Sequence, residues 1–97
     1  MTISSTSRAD YQTFATSHRS DFERWLAELV NIPTVSVDPA RAADVRRCAE
    51  TARTLLQGVG ARAKLLETGG HPLVHARLTD TPSWPTVTVY NHLDVPL

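Results

Sequence analysis

One cysteine, Cys48, is all that this 97-residue chain contains, which excludes an internal disulfide framework and fits a reducing compartment. Neither charge is in excess. Ten Lys and Arg offset ten Asp and Glu, so no global field points to nucleic acid or to an anionic membrane. No apolar run approaches the roughly 20 residues that span a bilayer. Residues 1–10 are rich in Ser and Thr and have no apolar centre, unlike a secretory signal. Repeats and low-complexity tracts are also missing. These absences leave a soluble cytoplasmic protein as the expectation, and the length allows one modest domain rather than two.

What is present divides into a flexible tail over residues 1–8 and a folded part over 9–97. Residues 9–32 have a helical pattern: Phe22, Trp25, Leu26, Leu29 and Val30 recur at i, i+3, i+4, i+7 and i+8 as one apolar stripe. Tyr11, Phe14 and His18 carry the stripe backwards, either as one long helix or as two segments, the second opened by a capping box of Ser20 and Glu23. Pro33 stops it, because the residue before a proline is pushed out of the helical region. After a short apolar connector (32–37), Asp38 followed by Pro39 signals a second helix, with Asp as cap and Pro at the first helical position. On that helix Val45, Cys48, Ala49, Ala52, Leu55, Leu56 and Val59 form the apolar stripe, and Gly58 and Gly60 end it. Arg46, Arg47, Glu50 and Arg53 read as its solvated face.

Three strands are predicted next. The first covers residues 61–68 and is followed by a turn at Gly69, Gly70 and Pro72. The second, 73–78, alternates Val74, Ala76 and Leu78 against Leu73, His75 and Arg77, which suits one wetter face. After a loop at 80–85, residues 86–95 form the third, apolar enough for an interior position. The fold class expected is α/β, with two amino-terminal helices packed on a mixed β-sheet. A buried strand needs neighbours, and so little follows the third that part of the sheet is expected to be missing.

The chemistry-bearing pair is His92-Leu93-Asp94. Residues two apart on a strand share a face, so the imidazole and the carboxylate converge at the strand's carboxyl end, where open α/β sheets tend to place ligands. A carboxylate bonded to one ring nitrogen fixes the tautomer and raises the basicity of the other as a metal ligand. Taken alone the pair is a weak signal.

Its surroundings strengthen it. The run from Pro85 through Thr86, Tyr90 and Asn91 to His92, Asp94 and Val95 resembles a signature of the family-twenty metallopeptidases of clan MH. That group includes aminoacylases, carnosine-type dipeptidases, glutamate carboxypeptidases and succinyl-diaminopimelate desuccinylase. The long first helix running into Asn31-Ile32-Pro33-Thr34-Val35-Ser36 is similar to the start of these enzymes. So are the second helix ending in Gly and the strand at His71-Pro72-Leu73-Val74. The likeness spans about residues 20–95 in the family's order.

The resemblance implies the incomplete start of a zinc-peptidase catalytic domain that uses two zinc ions to cleave amides of small peptides or N-acyl amino acids. By it, His92 would bind one zinc, and Asp94 would be the catalytic-site carboxylate that orients His92. The zinc-bridging Asp, the general-base Glu and the other ligands would lie downstream, as would a separate lid and dimerisation domain; complete relatives are often homodimers. The 97-residue chain alone is expected to be inactive, since one His cannot supply the three protein ligands of a catalytic zinc. Departures from the pattern are Asn91 in place of a small residue, Leu93 where several subgroups have an aromatic, and Pro96-Leu97 where relatives continue with Gln-Pro or another polar residue.

Other candidates read as structural. His18 lies on an apolar helical face, His71 in a Gly-Gly-His-Pro turn, and His75 on the wetter side of its strand. Cys48 reads as a small buried apolar residue with no His near it in sequence to favour a thiolate, and Trp84 as loop packing. A rival reading is a small non-catalytic binding or regulatory domain derived from such an enzyme. It should protect the edge of its last strand, and the sequence shows no charge or cover there.

Overall fold

The computed structural model describes residues 7–79 and 81–96; most of the tail expected at residues 1–8 lies outside them. Ser7 is described and caps a helix. Its hydroxyl accepts from the Asp10 amide at 3.2 Å, and the Asp10 carboxylate accepts from the Ser7 amide at 2.9 Å. This reciprocal box satisfies two amide donors at the terminus and opens α1 (Arg8–Ser17). His18 interrupts the run, and α2 (Arg19–Val30) follows at once. The two-segment alternative therefore holds, but its start differs. No side chain caps α2 at His18, and Glu23 pairs with Arg19 at 2.8 Å. His18 packs as expected, stacked on Phe14 with ring centroids 4.1 Å apart.

The Asp38-Pro39 signal gives a single 3-10 turn (Pro39–Arg41), where the Asp38 carboxylate accepts from the Ala40 amide at 2.9 Å. It leads into α3 (Ala42–Gly58). The helix closes with the Ala61 amide on the Leu56 carbonyl and the Gly60 amide on the Gln57 carbonyl, both at 3.0 Å. This six-to-one and five-to-two pattern turns on a left-handed residue, and Gly60 supplies it at φ 94°.

β1 (Arg62–Leu66) and β2 (Leu73–Arg77) pair antiparallel, Ala63 opposite Ala76 and Leu65 opposite Val74. Those four, with Leu66, are the half-buried positions of the hairpin, on which α3 packs. Cys48, Ala49 and Ala52 are the buried residues of the helix, and their small side chains let it approach closely. Arg46 of the supposed solvated face reaches across to Glu67 in a bidentate pair at 2.9 and 2.7 Å. Val59 is half-exposed, past the end of the stripe.

Two expectations need correction. The first helical region does not pack on the sheet: α2 rests on α3, and α1 touches only α2. Leu26 and Val30 of the predicted stripe consequently stay 61% and 70% exposed. The third strand does not form either. Residues 86–94 run without a ladder, and the only pairing there is a parallel bridge between Val95 and Val35. A strand exists only through its partners, and none lies alongside: Val87, Val89 and Tyr90 are 83%, 76% and 85% exposed. Among the described residues the sheet is thus a two-stranded antiparallel hairpin, not a mixed sheet.

The core is correspondingly thin: Ile32, Cys48, Ala49, Ala52 and Ala61, with Thr34 beside them. The chain exposes 7918 Å², against about 5,500 Å² for a compact monomer of this mass. Its radius of gyration is 16.3 Å, against about 13 Å for a compact 100-residue domain. Among the described residues, no helix is long and apolar enough to cross a membrane.

Candidate functional site

Two polar motifs 58 positions apart in the sequence meet. Pro33 ends the helical course after α2, so Thr34, Val35 and Ser36 run on as a connector toward α3. Residues 93–95 lie against that connector in parallel sense. Thr34 holds them twice: its carbonyl accepts from the Val95 amide at 2.9 Å, and its hydroxyl donates to the Leu93 carbonyl at 3.1 Å. At 2% exposure Thr34 is among the most buried side chains. Two residues on, the Ser36 hydroxyl donates to Asp94 Oδ2 at 2.6 Å. The Ser36 carbonyl in turn lies 2.8 Å from His71 Nε2, which ties the hairpin loop to the same strip of backbone.

His92 and Asp94 converge as the strand spacing predicted, although no strand forms. His92 Nδ1 lies 3.3 Å from Asp94 Oδ1, longer than the roughly 2.7–2.9 Å of a tight charge-assisted bond. The carboxylate is shared, one oxygen on the serine and the other on the imidazole. Engaging Nδ1 leaves Nε2 facing a largely open environment, with the His92 side chain 74% exposed.

This arrangement suits one arm of a metal site, a ligand nitrogen backed by its orienting carboxylate. It is not a nucleophilic triad, because the Ser36 hydroxyl donates to Asp94 rather than to an imidazole. No protein-family model matches the chain, and no solved structure matches it. Among the described residues no group of three His, Cys, Asp or Glu side chains could hold a metal ion.

Ser36 is the strongest influence holding the Asp94 carboxyl below the ordinary aspartate range; desolvation opposes it, and the nearby His92 adds to it. A carboxyl depressed by folding contributes stability above its unfolded pKa and loses it as pH falls through the folded value. The Asp94–Ser36 link is therefore present at neutral pH and weakens only as acid protonates a carboxyl held below the ordinary aspartate range. Ser36→Ala should move the Asp94 titration midpoint upward, measured by carboxyl-carbon chemical shifts across the acid range. An unmoved midpoint would mean that the bond is not made in solution.

The sequence reading missed Thr34 and Ser36 as partners of this segment, and His71 as its link to the hairpin. The available signal was the alternation Thr34-Val35-Ser36, whose polar members are spaced like those of His92-Leu93-Asp94. His75 is exposed on the hairpin's outer face, and Trp84 sits in an exposed turn, its amide on the Thr81 carbonyl at 3.1 Å. Cys48 is 2% exposed, and burial pushes its thiol pKa up, which disfavours the nucleophilic thiolate.

Proposed function

We propose that this chain is the amino-terminal part of a zinc-dependent amide hydrolase of the aminoacylase and dipeptidase kind, acting on small peptides or N-acyl amino acids in the cytoplasm. The observation that carries the reading is the His92–Asp94 contact, which points one ring nitrogen at the carboxylate and leaves the other available. The resemblance over residues 20–95 supports it, and so does the thin core, in which Ile32, Cys48, Ala49, Ala52 and Ala61 are the buried apolar side chains among the described residues.

Bound zinc supplies Lewis-acid polarisation of a carbonyl and a bound water that ionises near neutral pH. Of this chain's own residues, His92 would hold the ion through Nε2. Asp94 keeps the proton on Nδ1 and the ring in its orientation, and Ser36 keeps Asp94 from rotating away. The remaining ligands and the general base would come from chain beyond this segment.

A direct consequence concerns affinity. One imidazole leaves a zinc ion mostly water-coordinated, so the 97-residue chain should bind zinc no better than an ordinary surface histidine. Calorimetric titration measures this. A tight one-to-one site abolished by His92→Ala would show instead that the chain carries a complete site of its own.

The non-catalytic alternative is favoured by one observation, the bare extended stretch containing Val87, Val89 and Tyr90. Such a stretch offers unpaired backbone groups to a partner's strand.

A further inference from the structure

Ser36 is gripped from two sides by groups that the sequence keeps far apart. Its hydroxyl donates to Asp94 at 2.6 Å, and Asp94 in turn faces His92 Nδ1 at 3.3 Å. Its carbonyl lies 2.8 Å from His71 Nε2. A carbonyl can only accept, so Nε2 of His71 carries a proton and donates it to this bond. The bond falls where the connector is least held by itself. The Asp38 amide closes a turn on the Val35 carbonyl at 3.1 Å, with Ser36 at its second position. The closing bond of such a turn leaves the second residue's carbonyl unengaged. His71 takes up that carbonyl from outside.

The hairpin loop is built to present this donor. It contains Gly69 and Gly70, and a glycine pair left to itself costs the most entropy to order. Thr68 offsets that cost. Its hydroxyl donates to the His71 carbonyl at 2.6 Å and accepts from the Gly70 amide at 2.9 Å. Pro72 disfavours helical backbone at His71. One residue before Thr68, Glu67 is held by the bidentate fork of Arg46, which fixes direction as well as distance. The loop is thereby fastened to α3 at one end and to itself across its middle.

We propose that His71 is a positioning residue for the His92 imidazole, acting through Ser36. Thr34 aligns the connector with residues 93–95, and His71 fixes the next polar residue along it. With the Ser36 carbonyl held, its hydroxyl stays directed at Asp94, and Asp94 keeps the proton on Nδ1 of His92. Releasing the carbonyl lets the hydroxyl leave, frees the carboxylate to rotate, and removes what selects the ring's tautomer. The role rests on the reading of His92 and Asp94 as a metal-binding pair, but the geometry it describes is present in this chain without metal.

Amide exchange and ring-nitrogen chemical shifts of the 97-residue chain test this. The Val95 amide, on the Thr34 carbonyl, reports whether the segment is in place, and the Ala61 amide, on the Leu56 carbonyl, reports the α3 layer. His71→Phe keeps an aromatic ring without a nitrogen donor. It should raise Val95 exchange about fivefold, the effect of losing one neutral hydrogen bond, and leave Ala61 unchanged. The His92 nitrogens should shift from the Nδ1–H form toward Nε2–H. His71→Gln places an amide nitrogen as many bonds from the backbone as Nε2 and should restore both signals. In a Ser36→Ala background the relay is already cut, so His71→Phe should not move the His92 nitrogens further. If His71→Phe fails to fold, Thr68→Val, which removes the hydroxyl from the loop, decides by the same signals. Unmoved Val95 and His92 signals overturn the proposal. So does equal acceleration of Ala61, or a glutamine that fails to rescue, since either makes His71 a general prop of the fold. None of these signals requires zinc. A failed hydrolase reading, seen as near-parental turnover of a complete His92→Ala enzyme, therefore leaves them as they are, and the two failures are told apart.

Discussion

A complete hydrolase built on this segment is expected to lose one zinc and nearly all turnover when His92 becomes Ala. Asp94→Asn should cost about 10- to 100-fold in metal affinity or rate, the usual penalty for removing a carboxylate behind a metal-binding imidazole. The two effects differ because the residues do different things. Removing the ring deletes a ligand. Removing the charge leaves the ligand in place but frees its orientation and weakens the hold on the Nδ1 proton. Ser36→Ala should have the smallest effect of the three, because the Asp94 carboxylate keeps its charge and loses only one of its two partners. Metal content per protomer and turnover on an N-acyl amino acid are the measurements. Near-parental turnover in both the His92 and Asp94 variants would reduce the pair to a chance motif.

Ala52→Asp is expected to unfold the chain. Ala52 is buried on α3, the helix that packs against both strands. An unpaired carboxylate placed there loses its hydration with no cation to replace it, a cost of several kcal/mol. Domains of this length are stable by about 5–15 kcal/mol, and a core made largely of alanine and one cysteine belongs at the low end. The cooperative thermal transition should disappear and amide dispersion collapse. Ala40→Asp, at an exposed position in the 3-10 turn, serves as the control and should stay folded. A cooperative Ala52→Asp variant destabilised by less than about 1 kcal/mol would place that face of α3 outside the core.

Local signals were the legible ones. The Asp38-Pro39 start, the Gly60 stop and the inward run of Cys48, Ala49 and Ala52 each follow from residues within a few positions of one another. The hairpin was legible for the same reason, since the alternation of Val74 and Ala76 against His75 and Arg77 states which face is covered. Apolar composition failed as a guide over residues 86–95. Val87 and Val89 are strand formers by propensity, but propensity cannot supply the neighbouring backbone that makes a strand. The stripe on α2 misled similarly, because amphipathicity specifies a face without naming what covers it. The meeting of Ser36 with Asp94 was beyond periodic reasoning: 58 residues separate them, and only the folded path of the chain brings them together.

That separation has a kinetic consequence. The contacts holding His92 and Asp94 to the connector close a loop of nearly 60 residues through a few hydrogen bonds, one of them from the buried Thr34 hydroxyl. Helical turns and a short hairpin assemble from near neighbours, while a closure of this length must wait until its entropy cost is met by structure already formed. The imidazole-bearing segment is therefore expected to dock after α3 and the hairpin and to detach before them. Its residence on the connector is governed by the solidity of α3 and the hairpin beneath it, so substitutions far from His92 that soften that layer shorten the time the ring spends in place.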